Sequence, residues 1–305
     1  MSDIILHHYA VSPYAEKVRI GLGLKRAAWQ SVDIPNVMPK PDLMPLTGGY
    51  RKTPVMQIGA DIYCDTQLIM LELDRRLPSP PFLPEGREGE ARAITMWIDR
   101  NIFSPAVGVV MSQVADRFGE AFKKDRSEFS GRSFDPERLR AALPMVRDQT
   151  YALLSLAESM LADGRKFLLG GEPSLADCAL YNPVWFIQQQ LGPTAAPLDR
   201  LPQIVAWSER MKALGGGKRT DIKATDALDI ARAAKPAPAS VDAHDPSGLK
   251  AGQTLSVTPD DTGKVPVTGT LVGLAADRIS IARSDPRTGD VVVHFPRAGY
   301  IVQAS

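Results

Sequence analysis

The chain is poor in cysteine, in net charge and in long hydrophobic runs, and each shortage excludes a class of protein. Two cysteines, Cys64 and Cys178, among 305 residues are too few for a disulfide framework or a structural zinc site. The formal net charge is +1, so no basic excess favours a nucleic-acid partner. No apolar run has the length of a membrane span, and the N-terminus lacks the features of a secretory signal. We therefore expect a cytoplasmic protein with reduced, buried thiols, without a metal and without a nucleic-acid or membrane partner.

Residues 1–80 predict a small α/β domain. Strand-like segments at 3–9 and 29–34 flank an amphipathic helix at 13–26. A Pro- and Gly-rich connection follows, then a hairpin at 53–66 and a helix at 67–77. The order βαβ followed by ββα is typical of a compact sheet with helices packed on it.

Residues 86–233 change to long helical periodicity. Ile94, Trp97 and Ile98 fall on one face of the first helix, and Pro105 is expected to interrupt it. Residues 174–191 are almost continuously apolar in their first two turns, which predicts the central buried helix of an all-helical domain.

The C-terminal part of the sequence has a different texture. Residues 234–248 are rich in Ala, Pro and Ser and predict a linker. Residues 249–305 contain five short, often alternating, β-branched segments separated by turn residues. This pattern predicts a small all-β domain with the architecture of an SH3-like barrel.

Three stretches resemble the glutathione transferase superfamily. They are "SPYAEKVRIGLGLK" (12–25), "RKTPVMQIGADIYCDTQLIMLEL" (51–73) and "FLLGGEPSLADCAL" (167–180). The resemblance implies a thioredoxin-like N-terminal domain followed by an all-α GST C-terminal domain, and it does not extend to the last 55 or so residues. It further implies a homodimer that uses glutathione as co-substrate and transfers it to a hydrophobic, electrophilic small molecule.

Ser12 is the candidate catalytic residue. A serine before Pro13 is a favoured helix N-cap, because proline at the first helical position loses no hydrogen bond. The resemblance implies a second role, in which the Ser12 hydroxyl donates to the glutathione sulfur and the helix N-terminus stabilises the thiolate. Serine in place of cysteine favours thiol transfer over disulfide reduction. Tyr9 is the alternative hydroxyl donor, and Tyr14 is expected to serve packing.

Thr53 and Pro54 are implied to hold the backbone of glutathione. A proline at the start of an edge strand is also ordinary structure. In the family the bond before this proline is cis, and the preceding residue pairs with the cysteinyl backbone of glutathione, as in strand addition.

Asp65 and Thr66 precede the helix at 67–77, where either residue suits a cap. The resemblance implies that Thr66 and the helix N-terminus bind the γ-glutamyl carboxylate and that Asp65 binds the ammonium group. Most family members have Glu-Ser here. Lys52, or Arg51, is the candidate for the glycyl carboxylate, and a solvated surface lysine is the alternative.

Other residues have structural alternatives as well. Trp97, Asn101 and Met111 are candidates for the second-substrate pocket, or for ordinary core. Ser174 and Asp177 match a capping box, so we assign them to folding. A second hypothesis for the whole chain is a binding or regulatory protein of the same fold with little catalysis, whose β domain docks a partner.

Overall fold

The computed structural model describes residues 4–304, and its N-terminal part is a four-stranded sheet with helices. The elements of this part are β1 (Ile5–His8), α1 (Pro13–Leu24), β2 (Ala28–Asp33), α2 (Met44–Thr47), β3 (Val55–Ile58), β4 (Asp61–Cys64) and α3 (Thr66–Arg76). β1 pairs in parallel with β2 and antiparallel with β3, and β3 and β4 form the predicted hairpin. The thioredoxin-like expectation is confirmed.

The middle of the chain is helical. Its elements are α4 (Glu88–Trp97), α5 (Phe103–Val114), α6 (Glu120–Ser130), α7 (Pro136–Met160), α8 (Leu175–Leu191), α9 (Pro202–Lys212), β5 (Lys218–Asp221) and α10 (Ala224–Ala233). The first helix is interrupted by a π-helical turn at Ile98–Ile102 that runs directly into α5, and Pro105 is the third residue of α5. The interruption predicted from Pro105 therefore lies just before it.

α8 is the central buried helix, as predicted. Twelve of its first thirteen residues are buried, and they pack between α1, α4 and α5. The predicted capping box is present at its start, since the Asp177 carboxylate accepts from the Ser174 amide and hydroxyl groups at 2.9 and 2.7 Å.

The C-terminal strands form the predicted all-β unit and join it to the N-terminal sheet. They are β6 (Thr254–Pro259), β7 (Val267–Leu274), β8 (Arg278–Asp285), β9 (Gly289–Pro296) and β10 (Tyr300–Ala304). β9 pairs in parallel with β4, and β5 pairs in parallel with β2. The result is a ten-stranded sheet in the order β10-β6-β7-β8-β9-β4-β3-β1-β2-β5.

The join between β4 and β9 is reinforced by a buried polar network. His294 of β9 lies between two partners: its Nε2 is 2.9 Å from Asp61 Oδ1, and its Nδ1 is 2.8 Å from Ser280 Oγ. Its ring also stacks on Tyr63, with ring centroids 4.5 Å apart. Because Asp61 and Tyr63 belong to β4, this network links the C-terminal unit to the N-terminal sheet.

Two hydrophobic cores support the fold. The larger one fills the space between one face of the N-terminal sheet and the helices. The second lies among the opposite sheet face, α2, α10 and the strands of the C-terminal unit. The second core includes Val32 and Ile62 together with Leu271 and Val293, so the C-terminal unit shares its hydrophobic interior with the N-terminal sheet.

Candidate active site

Ser12 caps α1 at the end of the loop that leaves β1. Its backbone is extended, with φ −75° and ψ 118°, and its Oγ accepts from the Ala15 amide at 3.2 Å. The N-cap prediction is confirmed. Among the residues that the structure describes, this is the hydrogen bond that the Ser12 side chain makes, which leaves its O–H free to donate. Ser12 is 2% exposed, so little of its surface is open to a ligand.

The two neighbouring tyrosines differ in setting. Tyr14 packs on Phe103, with ring centroids 4.2 Å apart, as its expected packing role requires. Burial raises the pKa of Tyr14 well above its usual value, and the carboxylates of Asp99, Asp65 and Asp261 add to that rise. The Tyr14 hydroxyl therefore stays protonated.

Tyr9 is half-buried and lies beneath a cation. The ammonium group of Lys40 is 5.8 Å from the centroid of the Tyr9 ring. The main-chain carbonyl of Tyr9 accepts from the Ser12 amide at 3.1 Å, so the two candidate hydroxyl donors share one turn.

The Thr53–Pro54 peptide bond is cis. Thr53 Oγ1 accepts from the buried ammonium group of Lys40 at 3.0 Å, and the same ammonium donates to the carbonyl of Arg51 at 3.0 Å. Burial, with the nearby cations Arg126 and Arg51, lowers the pKa of Lys40 to about 7. Sequence reasoning missed Lys40 because it lies in an irregular, Pro-rich connection without periodicity.

Asp65 caps α3 and faces the C-terminal unit. Its φ of 73° is in the left-handed region, and its Oδ1 accepts from the Gln67 amide at 2.9 Å. Its Oδ2 accepts from the Tyr300 hydroxyl at 3.0 Å. Thr66 is buried as the first residue of α3. Tyr300 is a further residue that sequence reasoning missed, since it follows Asp65 by more than 200 residues.

Several cations around this region are paired with aspartates. The Lys17 ammonium is 2.6 Å from Asp99, across the boundary between α1 and the helical part. Lys52 forms an ion pair with Asp261 of the segment between β6 and β7.

The aspartate before Asp261 also forms an ion pair. Asp260 lies 2.9 Å from Arg100, which belongs to the π-helical turn. Residues of the C-terminal unit therefore contact both the predicted glutathione-binding segment and the start of the helical part.

Neither cysteine of the chain is a candidate nucleophile. Cys64 at the end of β4 and Cys178 in α8 are both free and fully buried. Burial raises the pKa of both thiols, which keeps them protonated at neutral pH. Within residues 4–304, no group of His, Cys, Asp and Glu is arranged to hold a metal ion, and no helix is long and apolar enough to span a membrane.

The residues predicted for the second substrate lie on consecutive helical segments. Trp97 ends α4 and Met111 lies in α5, and both pack partly buried against the larger core. Asn101 is exposed on the π-helical turn, and its side-chain amide donates to the Trp97 carbonyl at 2.9 Å. A cleft of about 520 Å³ lies elsewhere, along α7, with Tyr151 and Arg200 in its wall. The second-substrate pocket stays a prediction.

Comparisons with known proteins agree with this architecture. Residues 6–81 match the family described as glutathione S-transferase, N-terminal domain, and residues 109–219 match a family described as a domain of unknown function. The chain is 38% identical to a GST-like protein from Pseudomonas syringae, with a TM-score of 0.82 and coverage of 100% of both chains.

More distant structures share the fold of the first two parts. A glutathione S-transferase from Rhodospirillum rubrum is 22% identical with a TM-score of 0.55, and FzlA from C. crescentus is 23% identical with a TM-score of 0.54. These matches cover 69% and 70% of this chain, and 88% of each of the other chains. None of the curated proteins matches the sequence.

Proposed function

Since the chain belongs to the glutathione transferase superfamily, we propose that it binds glutathione and adds the glutathione thiolate to a hydrophobic, electrophilic small molecule. The observation that carries the proposal is Ser12 at the N-cap of α1, with a hydroxyl hydrogen available for donation. Since both protein thiols are buried and protonated, the reactive sulfur has to come from a ligand. Two free cysteines also fit the proposed location in the cytoplasm.

The proposed chemistry is stabilisation of a thiolate followed by its addition. The Ser12 O–H donates to the sulfur, and the positive end of the α1 dipole favours the anion. If these contacts lower the thiol pKa by about 2 units, they stabilise the thiolate by about 2.7 kcal/mol. The thiol proton is released to solvent, and the sulfur bonds to the electrophilic carbon while a leaving group, such as the halide of an aryl halide, departs or a π bond of that carbon opens. The sulfur reaches the carbon at high effective concentration because both ligands are bound.

The remaining contacts are proposed residue by residue. The backbone of Thr53 pairs with the cysteinyl unit, next to Pro54. The N-terminus of α3, with Thr66, takes the γ-glutamyl carboxylate. Asp65 takes the ammonium group, alongside the hydrogen bond that it accepts from Tyr300. We also propose that the chain forms a homodimer, as the family resemblance implies.

A binding or regulatory role with little catalysis is the second candidate. Two observations favour it: Ser12 is nearly inaccessible, and Lys52 is already paired with Asp261. In this alternative the fold holds a thiol ligand or a partner without turnover. The proposed docking of a partner by the C-terminal unit would have to use surface other than β9, since β9 already pairs with β4.

The test is turnover and binding of Ser12→Ala. We expect kcat with glutathione and an aryl halide to fall by about 100-fold, the loss typical of removing one donor to a developing anion. The dissociation constant of glutathione, measured by calorimetry, is expected to stay within a few-fold of the wild-type value.

Two variants complete the test. Ser104→Ala, at an exposed serine of α5, is the matched control and is expected to retain activity. Tyr9→Phe tests the alternative donor. Unchanged turnover of Ser12→Ala together with loss in Tyr9→Phe would transfer the role to Tyr9. Binding of glutathione by the wild type without turnover of any electrophile would favour the second candidate.

A further inference from the structure

The segment between β6 and β7, residues 260–266, lies against the predicted glutathione site and is held there by several contacts. Asp260 pairs with Arg100 at 2.9 Å, and Asp261 pairs with Lys52. The Gly263 amide donates to the Phe129 carbonyl of α6 at 2.8 Å. Because contacts to three separate elements hold the segment, its aspartates have fixed positions relative to Lys52 and Thr53.

Gly263 shows how closely this segment approaches α6. A Cβ atom at this position would lie 2.7 Å from the Phe129 ring, and the backbone φ of +58° also favours glycine. Two residues before Gly263, Asp261 pairs with Lys52, which precedes β3.

Both cations predicted for the glycyl carboxylate of glutathione are paired with a carboxylate of the protein. Lys52 is paired with Asp261, and Arg51 is paired with Asp125 of α6. The Lys52 side chain is 15% exposed, and its ammonium group is already paired with Asp261. Asp261 stays ionised: its burial would raise its pKa, but the Lys52 ammonium lowers the pKa below the usual value.

A ligand carboxylate at Lys52 therefore has a competitor. Asp261 is part of the same chain and is present at high effective concentration, so a free carboxylate has to displace it. A carboxylate that binds beside the pair instead meets a neutralised lysine and the negative charge of Asp261. The repulsion between the ligand carboxylate and the Asp261 carboxylate disfavours binding.

We propose that Asp261 determines thiol specificity, so that the site prefers a γ-glutamyl thiol whose opposite end carries no free carboxylate. The ligand class is a γ-glutamyl-cysteinyl compound that ends in a neutral amide or in an amine. The inference rests on the proposed function, because it concerns the same site. It assigns a specificity-determining residue to the C-terminal unit, outside both the thioredoxin-like and the helical parts.

The experiment compares two ligands in three proteins. Reduced glutathione and its glycinamide analogue, which differ in one charge, are titrated by calorimetry into the wild type, Asp261→Asn and Asp290→Asn at low salt and neutral pH. Asp290 is an exposed residue of β9 and gives the same charge change away from Lys52. About half of the Asp261 side chain, 47%, is accessible to solvent, so Asp261→Asn is expected to fold. Thermal unfolding checks this.

We expect the wild type to bind the amide at least as tightly as glutathione. In Asp261→Asn the ratio of the two dissociation constants is expected to shift by about tenfold in favour of glutathione, and in Asp290→Asn to stay at the wild-type value. Binding of both ligands with a ratio that Asp261→Asn does not change would overturn the specificity proposal alone. Absence of binding of either ligand to the wild type would overturn the proposed function, and this inference with it.

Discussion

His7 and His8 at the end of β1 are buried, neutral side chains. His7 Nε2 is 2.8 Å from the side-chain oxygen of Gln57, and His8 Nε2 is 3.0 Å from Ser31 Oγ. Burial lowers the pKa of His7 to about 4. Burial, with the charges of Arg19 and Arg219, lowers that of His8 to about 3. At neutral pH both rings therefore fill the interior without charge.

The free energy of unfolding is expected to fall in acid because of these histidines. An unfolded histidine titrates near pH 6.5, so between pH 6.5 and 4 the unfolded chain binds protons that folded His7 does not bind. The corresponding stability is complete above pH 6.5 and is lost as the pH falls towards 4. We expect His7→Gln to reduce this loss by up to about 3 kcal/mol, measured by urea unfolding at pH 7 and pH 4.5. His244→Gln, at an exposed histidine, is the control. An equal loss of unfolding free energy between pH 7 and pH 4.5 in the two variants would contradict the assignment to His7.

The individual site residues could be predicted only where they are close in sequence to a structural signal. Ser12 and Asp65 were found because a cap precedes an amphipathic run, and each does cap its helix. Lys40, Asp261 and Tyr300 reach the site from irregular or distant segments. No local pattern marks such residues, since their position depends on how separate parts of the chain pack.

At the scale of elements, the start of α8 depends on one buried carboxylate. Asp177 accepts from Ser174 at both its amide and its hydroxyl group. It also accepts from the Leu168 amide at 2.8 Å and from the Trp207 indole at 2.9 Å. The carboxylate therefore joins the helix start to the preceding loop and to α9.

The two residues of the capping box are expected to differ in their contributions to stability. Asp177→Ala leaves buried N–H donors of three residues without an acceptor, each at a cost of about 1–3 kcal/mol. Ser174→Ala removes one cap hydroxyl, at a cost of about 1 kcal/mol. We expect denaturant unfolding to show a loss of several kcal/mol for Asp177→Ala and a much smaller loss for Ser174→Ala. Similar losses in the two variants would show that Asp177 acts only as a local cap.

Elements with strong periodicity were predictable, and elements set by tertiary contacts were not. All five C-terminal strands lie within the predicted all-β region, residues 249–305, because β-branched alternation and turn residues define them. β5 was missed: its residues Lys218–Asp221 are all exposed and do not alternate, and it forms by pairing with β2. Charged residues on this outer strand also discourage pairing with another chain.

At the scale of the whole molecule, the order of the three parts along the chain can be predicted from composition. The pairing that joins them into one sheet cannot. The sequence predicts an α/β part, a helical part and an all-β part, and the fold class is confirmed. The pairing of β9 with β4 joins positions more than 200 residues apart. It also occupies an edge of the N-terminal sheet, so the C-terminal unit contributes to the core and to the candidate site.

A shared sheet and a shared core predict that the C-terminal unit and the rest of the chain unfold together. All four tryptophans, at positions 29, 97, 185 and 207, lie outside the C-terminal unit, so tryptophan fluorescence reports on the remainder of the chain. Leu271 of β7 is fully buried in the second core, and Leu271→Ala is expected to cost about 2–5 kcal/mol.

If the chain unfolds as one unit, this cost lowers the urea midpoint of the fluorescence transition, although no tryptophan is near the change. Thr270→Ala, at the neighbouring exposed position of the same strand, is the control and should leave the free energy of unfolding within about 0.5 kcal/mol of the wild type. If the C-terminal unit unfolded independently, Leu271→Ala would destabilise only that unit. Hydrogen exchange of the amides in β6 to β10 would then become faster, and the fluorescence midpoint would not change. That result would mean that the β4–β9 pairing and the His294 network are too weak to couple the C-terminal unit to the sheet that presents Asp65 and Lys52.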